Sequence, residues 1–529
     1  MAASSSCRTV PGPAHWRRRA WTTAAALAGI LTVVTAPLAT PPADAAGLGA
    51  TVHNPLRDGT ADPSIRVWNG TYFLTSTTVD SISIVASPTL AGLAVAPPAF
   101  TWHPPRPGPL CCDLWAPTLE RIGGKWYVYF AAGDGSRDRW GWPARQRIFV
   151  LESNGDHPTA TGYHLANGGR PVVDPGPGGQ AIDPAVLQFA GRTYLLWSQY
   201  RDTGPTHSLF IARMSGPTAL VGDRVRIATP TMPWERRQGR VIEAPAVLTR
   251  GGAVFVAYSA NGCDSDHYAT GLLTNRTGRL LDPTAWRKAP APVLASLPAD
   301  ANGESGTYAP GGAEFFTSPD GRETWIAYHA NGRPGQGCGA HRSLRVQRVG
   351  WTADTPVIGP ALSPDTVVPV PSGEPPLDPT RPRTGRYVVA HRRGVLETAF
   401  CRADTSATVR VYAPYRPNDP CHLWYLVELG GDAYAIHHAL SGKALGIAGC
   451  SSASGAAVNS GFFDPADPCQ RWRVQPVFEG GFIRLFRVTN ARTGLALDAP
   501  SCADQPYPSA QQRRFVFSDC QLWWLIPAG

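Results

Sequence analysis

Charge is scarce in this chain: of 529 residues only 16% are Asp, Glu, Lys or Arg, and methionine occurs three times. No basic run is interleaved with aromatics, so the formal net charge of +9 points to no nucleic-acid partner. Several chemical signatures are also missing: the Asp-x-Asp-x-Asp-Gly calcium loop, His-x-x-x-His, paired Cys-x-x-Cys, and Gly-x-Gly-x-x-Gly or P-loop phosphate cradles. There is no Gly-x-Ser-x-Gly nucleophile elbow. These absences speak against nucleotide use, zinc chemistry and serine hydrolysis, and they leave carboxylates as the candidate reactive groups. After the first 45 residues no stretch is long and apolar enough to span a bilayer, so no membrane partner is expected.

What is abundant is turn chemistry. The chain holds 55 Gly and 52 Pro, a composition that favours many short strands over long helices. At the start, Arg17-Arg18-Arg19 precedes an apolar run from Ala24 to Val34, and Ala43-Asp44-Ala45 offers a small-residue cleavage site. Residues 1–45 therefore read as an export signal, and the protein as secreted. Losing Cys7 with that signal leaves ten cysteines, an even number suited to an oxidising compartment. Cys401/Cys421, Cys450/Cys469 and Cys502/Cys520 form regularly spaced pairs, Cys263 and Cys338 are able to bridge, and Cys111-Cys112 are adjacent.

Two repeat systems organise the rest. A glycine turn followed by an aromatic, apolar strand recurs five times, with Tyr72, Tyr127, Tyr194, Phe255 and Trp325 as markers. Each unit is long enough for a four-stranded antiparallel sheet, which predicts an all-β, five-bladed β-propeller over 46–370. Residues 371–385 lack apolar periodicity and read as a semi-rigid linker. Over 386–529, Cys421-His422-Leu423-Trp424, Cys469-Gln470-Arg471-Trp472 and Cys520-Gln521-Leu522-Trp523 recur at near-equal intervals. Three such units, each with a buried Trp, predict a β-trefoil.

Ahead of each propeller marker lies the start of the preceding strand. Read in order, this position holds Asp62, Trp115, Asp183, Glu243 and, approximately, Gly312. In a propeller these innermost positions converge at one mouth of the channel, so three acids from three blades would share a pocket. Asp-Pro and Glu-x-Pro are also ordinary turn openers, but recurrence in register favours a site. Two carboxyls across a glycosidic bond suffice to hydrolyse it, and a third raises the pKa of the proton donor. Gathering Ca²⁺ is the other chemistry open to such a cluster. Trp102, Trp115, Trp140, Trp142, Tyr200 and Trp234 supply faces on which sugars stack.

The stretches Ala61-Asp62-Pro63-Ser64-Ile65, Leu114-Trp115-Ala116-Pro117, Ala181-Ile182-Asp183-Pro184, Ile242-Glu243-Ala244-Pro245 and Ala327-Tyr328-His329-Ala330 resemble glycoside hydrolase family 43. That family comprises arabinan- and xylan-degrading enzymes on five-bladed propellers. The resemblance implies an inverting mechanism with Asp62 as general base, Glu243 as general acid and Asp183 tuning the acid. It places Trp115, Trp102, His329 and Arg342 among substrate-binding residues. It also implies exo-acting α-L-arabinofuranosidase activity on arabinan or arabinoxylan of the plant cell wall, by a monomer. A β-xylosidase or endo-arabinanase on the same scaffold, and a non-catalytic polysaccharide binder, remain open. No cofactor is required on this reading, and metal ligands are none: Gly312 stands where the family has a histidine at its axial cation or water site. The C-terminal part resembles ricin-B-type lectins, with Asp498, Phe517 and Gln521 of the third lobe as the implied sugar-binding residues.

Overall fold

A computed structural model describes residues 51–529 except 88, 95, 97, 106–109, 138–142, 160–161, 177–178, 202–203, 299–305, 365, 375–381, 392–393, 404–405, 413–418, 481–482, 501–507, 517 and 528–529. The expected export signal, Trp140, Trp142, Cys502 and Phe517 therefore lie outside the described residues. Among the described residues the fold is all-β, with only short 3₁₀ turns between strands.

The first part is a succession of five antiparallel four-stranded units. The first comprises Ala61–Trp68, Thr71–Thr77, Ile82–Ser87 and Pro98–Trp102. The second comprises Cys112–Ile122, Lys125–Gly133, Gln146–Ser153 and Tyr163–Leu165. The third is Gln180–Phe189, Arg192–Arg201, Gly204–Gly216 and Ala219–Ala228, joined to the second through one parallel pair, Gln180 with Gln146. The fourth runs Ile242–Arg250, Ala253–Ala260, Ala269–Asn275 and Arg287–Lys288. The fifth runs Tyr308–Thr317, Thr324–Asn331, Ser343–Thr352 and Thr355–Val357.

Each second strand is buried on both faces, which is why Trp126-Tyr127-Val128-Tyr129-Phe130 and Val254-Phe255-Val256-Ala257-Tyr258 are continuous apolar runs instead of alternating ones. Their side chains fill apolar layers between neighbouring sheets.

Hydrogen bonds link each unit to the next and the last back to the first. Thr75 Oγ1 donates to the Pro117 carbonyl (2.7 Å), Thr118 Oγ1 to Pro184 (2.8 Å), Ser198 Oγ to Ile242 (3.0 Å) and Thr270 Oγ1 to Pro310 (3.2 Å). The circuit closes where the Asp62 amide donates to His329 Nδ1 at 3.1 Å. The chain entering the first unit is also held by the end of the region. Thr51–His53 pairs with Val367–Pro369, and the Asn54 side chain makes two hydrogen bonds to the Val346 main chain (2.8 and 2.9 Å).

The expected linker is anchored at its start. Ser372 Oγ donates to Asp320 Oδ1 (2.7 Å), and Glu374 Oε1 accepts from the Leu90 amide (2.8 Å). Beyond it, Leu423–Glu428, Gly385–His391, Gly394–Thr398, Ala407–Tyr412, Val458–Gly461, Ala444–Ile447 and Ala433–His438 pair in that order. The last pairs back with the first, which closes a seven-stranded barrel. Three tryptophans recur in the apolar core of this part, Trp424, Trp472 and Trp523, all fully buried. Each indole N–H donates to a leucine carbonyl: Leu396 (2.8 Å), Leu445 (2.8 Å) and Leu497 (3.1 Å).

Val427, Ala435, Ala444 and Phe463 of this part share an apolar cluster with Leu90, Leu93 and Ala96 of the first unit. Disulfides join Cys401 to Cys421, Cys450 to Cys469, Cys263 to Cys338 and Cys111 to Cys112, and Cys520 is also disulfide-bonded.

Candidate active site

One backbone device recurs at the start of all five first strands. A residue at positive φ stands immediately before a proline: Asp62 (50°), Ala116 (45°), Asp183 (57°), Ala244 (50°) and Ala309 (52°). Proline has no N–H for the ladder, and the pairing register shifts there in each unit. The bulge re-aims the side chain toward the middle of the ring. Non-glycine residues at positive φ are strained, and aspartate tolerates that region better than most.

This device corrects the expected register. Asp62 and Asp183 occupy the bulge, whereas Glu243 and Trp115 stand one residue before it. The fifth unit contributes Tyr308 and Ala309 at these two levels; Gly312 lies three residues further on. The acids converge because two neighbouring positions of one bulge face the same space.

That space is a pocket of about 650 Å³ whose lining includes Asp62, Asp183, Glu243, Trp115 and Arg342. Asp62 is held from three sides. Thr77 Oγ1 donates to its Oδ2 (2.7 Å) while accepting the Ala116 amide (2.9 Å), and Arg342 Nη1 lies 3.4 Å from Oδ1. His329 Nδ1 lies 3.1 Å from the Asp62 amide nitrogen and 3.3 Å from Asp62 Oδ1. Burial pushes the Asp62 carboxyl up, but Arg342, His329 and Thr77 together outweigh it and hold the group well below the ordinary carboxylate range. Burial lowers the pKa of His329, favouring the neutral ring.

Glu243 has the opposite environment. Burial first, with the charges of Asp62 and Asp264 added, pushes it up to about 7 against the pull of Tyr268 and Arg342. The Tyr268 hydroxyl donates to Glu243 Oε1 at 2.9 Å; its own pKa is raised well above the ordinary value, so it remains a donor. Asp183 is driven up by burial and by the charges of Glu243 and Asp62, and its Oδ2 accepts the Ala244 amide at 2.9 Å. Asp183 thus grips the backbone that aims Glu243. The pocket holds one carboxyl kept ionised, Asp62, beside two that are pushed toward the protonated form, Glu243 and Asp183.

Gly312 has a different role from the one its sequence position implies. A Cβ there would lie 2.5 Å from His329 Nδ1 and 2.7 Å from Asp62 Oδ1, so only glycine leaves room for the imidazole against the base. His329 is therefore not at the pocket surface: it is 1% exposed, stacked on Tyr268 (5.9 Å, 6°), and acts from behind Asp62. Trp102 is also displaced from its expected place. It ends the outer strand of the first unit, paired with Ile82 and packed edge-on against Phe130 at 5.8 Å, because its apolar face is consumed by that layer.

Several pocket residues escaped sequence reading. Asp113 is buried in a two-pronged pair with Arg137 (2.7 and 3.1 Å). His207 lies tilted (37°) against Tyr200 at 5.4 Å, and its buried Nδ1 has no hydrogen-bond partner among the described residues. Thr77 and Tyr268 come from second strands and loops, whose repeats are defined by apolar residues. No spacing marks them.

Below the carboxylates, Arg66 pairs with Glu120 and, at 3.2 Å, with Glu314. In the C-terminal part, Asp498 is buried and accepts from Gln511 (2.8 Å). Gln521 is committed to its own loop: Oε1 takes the Val516 amide (2.8 Å) and Nε2 donates to the Arg514 carbonyl (2.9 Å). Gln470 does the same with Asp464 and Phe462. The glutamine expected to bind sugar thus also staples its own loop.

The profile of the glycosyl hydrolases family 43 matches residues 52–356. An extracellular exo-α-(1→5)-L-arabinofuranosidase of Streptomyces chartreusis is 36% identical over 318 residues, covering 59% of this chain and 91% of that protein. A protein of the same name from Streptomyces avermitilis is 34% identical over 365 residues, covering 66% of this chain and 71% of that protein. The crystal structure of an α-L-arabinofuranosidase from Lactobacillus brevis, 29% identical, superposes with a TM-score of 0.54 over 60% of this chain and 98% of that one. The matched residues span all five bulges and all three acids, and the chain belongs to the glycosyl hydrolases of family 43.

Proposed function

We propose that this glycoside hydrolase is a secreted, inverting exo-α-L-arabinofuranosidase of arabinan or arabinoxylan. In this reading the five four-stranded units are the blades of a propeller, and the threefold Trp repeat of 386–529 is a β-trefoil that carries a carbohydrate-binding module. The single observation that carries the mechanism is the split between Asp62, held ionised by Arg342, His329 and Thr77, and Glu243, raised to about 7 in the same pocket.

Water attacks the anomeric carbon and gives its proton to Asp62. As the carbon–oxygen glycosidic bond breaks, Glu243 delivers its proton to the departing oxygen. Asp183 holds the Ala244 amide and so fixes the backbone that aims the acid. Arg342 and Trp115 lie where they can orient and stack the sugar.

On this reading the axial residues are spoken for, since His329 Nδ1 is engaged by Asp62 and Arg66 pairs with both Glu120 and Glu314, and the reaction is assigned to the chain's own groups. The α-L-arabinofuranoside specificity rests on the similar proteins, which are named as α-L-arabinofuranosidases. Its test is a panel of nitrophenyl glycosides with linear arabinan, analysed for released monosaccharide and, by proton NMR, for the anomer formed first. Preferential cleavage of the β-D-xyloside, or a first product of retained configuration, would contradict the reading.

A further inference from the structure

Two loops close one side of the pocket, and each carries the group that tunes one of the two reacting carboxyls. The loop after Ala253–Ala260 carries Cys263, Asp264, Asp266 and Tyr268, and Tyr268 holds Glu243. The loop after Thr324–Asn331 carries Cys338 and ends at Arg342, which faces Asp62. Cys263 and Cys338 are joined, with their Cα atoms 5.1 Å apart, and both line the pocket. A second tie runs parallel: the Gly335 amide donates to Asp266 Oδ1 (2.9 Å) and Oδ2 (3.0 Å).

We propose that the Cys263–Cys338 disulfide is a positioning element of catalysis, a clamp that keeps Tyr268 on the acid and Arg342 on the base. The argument rests on the roles assigned to Asp62 and Glu243 above. Its physical basis is the composition of the second loop. Four of the eight residues 332–339 are glycine, so the segment has more backbone freedom to lose than most sequences. Arg342 adds a long side chain with many rotamers. The first loop is held on its own account, since Asn261 Nδ2 donates to the Trp234 and His267 carbonyls and its Oδ1 takes the Gln238 amide. A disulfide from that braced loop transfers its order to the glycine-rich one.

Asp62 is faced by Arg342, His329, Thr77, Asp183 and Glu243. Glu243 is faced by Tyr268, Asp183, Asp62, Arg342 and Asp264. Tyr268 and Arg342 both favour ionisation of the carboxyl they touch, so loosening them moves both limbs of the pH profile the same way, upward.

The test compares kcat/KM against pH on a nitrophenyl α-L-arabinofuranoside for the wild type and for the Cys263→Ala/Cys338→Ala double variant. The expected result is a displacement of both limbs by about one pH unit, the lower end of what one opposite charge does to a neighbouring carboxyl, with a fall in kcat larger than the change in KM. Limbs unmoved within about 0.2 unit, alongside a lowered Tm, would make the disulfide a stabiliser only and overturn the proposal.

If the variant does not accumulate, the wild type is partially reduced and alkylated, and the modified cysteines are mapped. The limbs must then move in the fraction modified at Cys263 and Cys338, and an unchanged profile in that fraction overturns the proposal equally. A wild type inactive on every glycoside in the panel would instead sink the proposed function and is distinguishable at once.

Discussion

The two halves of this molecule both repeat, but they use repetition in opposite ways. In the first half the geometry recurs and the chemistry varies. A strained residue precedes a proline in every unit, yet the strained residues are Asp, Ala, Asp, Ala and Ala. In the C-terminal part the chemistry recurs with the geometry. Trp424, Trp472 and Trp523 each close on a leucine carbonyl, and Gln470 and Gln521 each staple their own loop. An invariant repeat serves packing, because every copy has the same job. A repeat that departs from itself at a fixed point marks the place where a side chain is aimed at something outside the chain.

That contrast can be broken most severely at the bulges. Asp62→Asn should reduce kcat/KM by about 10³-fold or more while leaving sugar binding and Tm close to wild type, because it removes proton acceptance from a site already built. Steady-state kinetics beside a thermal melt checks this; equal losses of activity and stability would make Asp62 structural. At the invariant repeat the balance reverses. Trp472→Ala should cost about 3–5 kcal/mol in the barrel, read by denaturant unfolding, with kcat on a small aryl glycoside retained at temperatures where the protein stays folded.

Intermediate in size is Gly312→Ala, which drives a Cβ into His329 and Asp62. About a 10–100-fold loss in kcat with little change in KM is expected, since a misplaced base costs rate before it costs binding. The smallest effect is that of Tyr268→Phe. Removing the hydrogen bond that favours the ionised acid should move the alkaline limb upward and leave the acid limb, set by Asp62, in place. A downward move would reverse the assigned sign.

Much of this architecture was legible in the sequence, for a physical reason. Strands buried on both faces are written as aromatic, apolar runs after a glycine turn, so all five units announce themselves at Tyr72, Tyr127, Tyr194, Phe255 and Trp325. The acids were legible because each stands one or two residues ahead of a proline. Their exact level was not, since one residue's difference between Glu243 and Asp183 is decided by a bulge that no composition records. Trp102 and His329 mislead for a related reason: an aromatic or an imidazole near a site looks the same whether it faces the pocket or braces it. Gly312 was the hardest to read. As a letter it is a missing histidine, and only the closeness of His329 from the adjacent strand shows that the vacant volume is used.

The most direct test of the central claim, that one pocket keeps Asp62 ionised and Glu243 protonated, is the pH dependence of kcat/KM in the wild type and in Glu243→Gln. Activity requires the acid protonated, so it should fall as pH rises through about 7 in the wild type, and that limb should vanish in the variant while the low-pH limb persists. An alkaline limb that survives in Glu243→Gln would contradict the account.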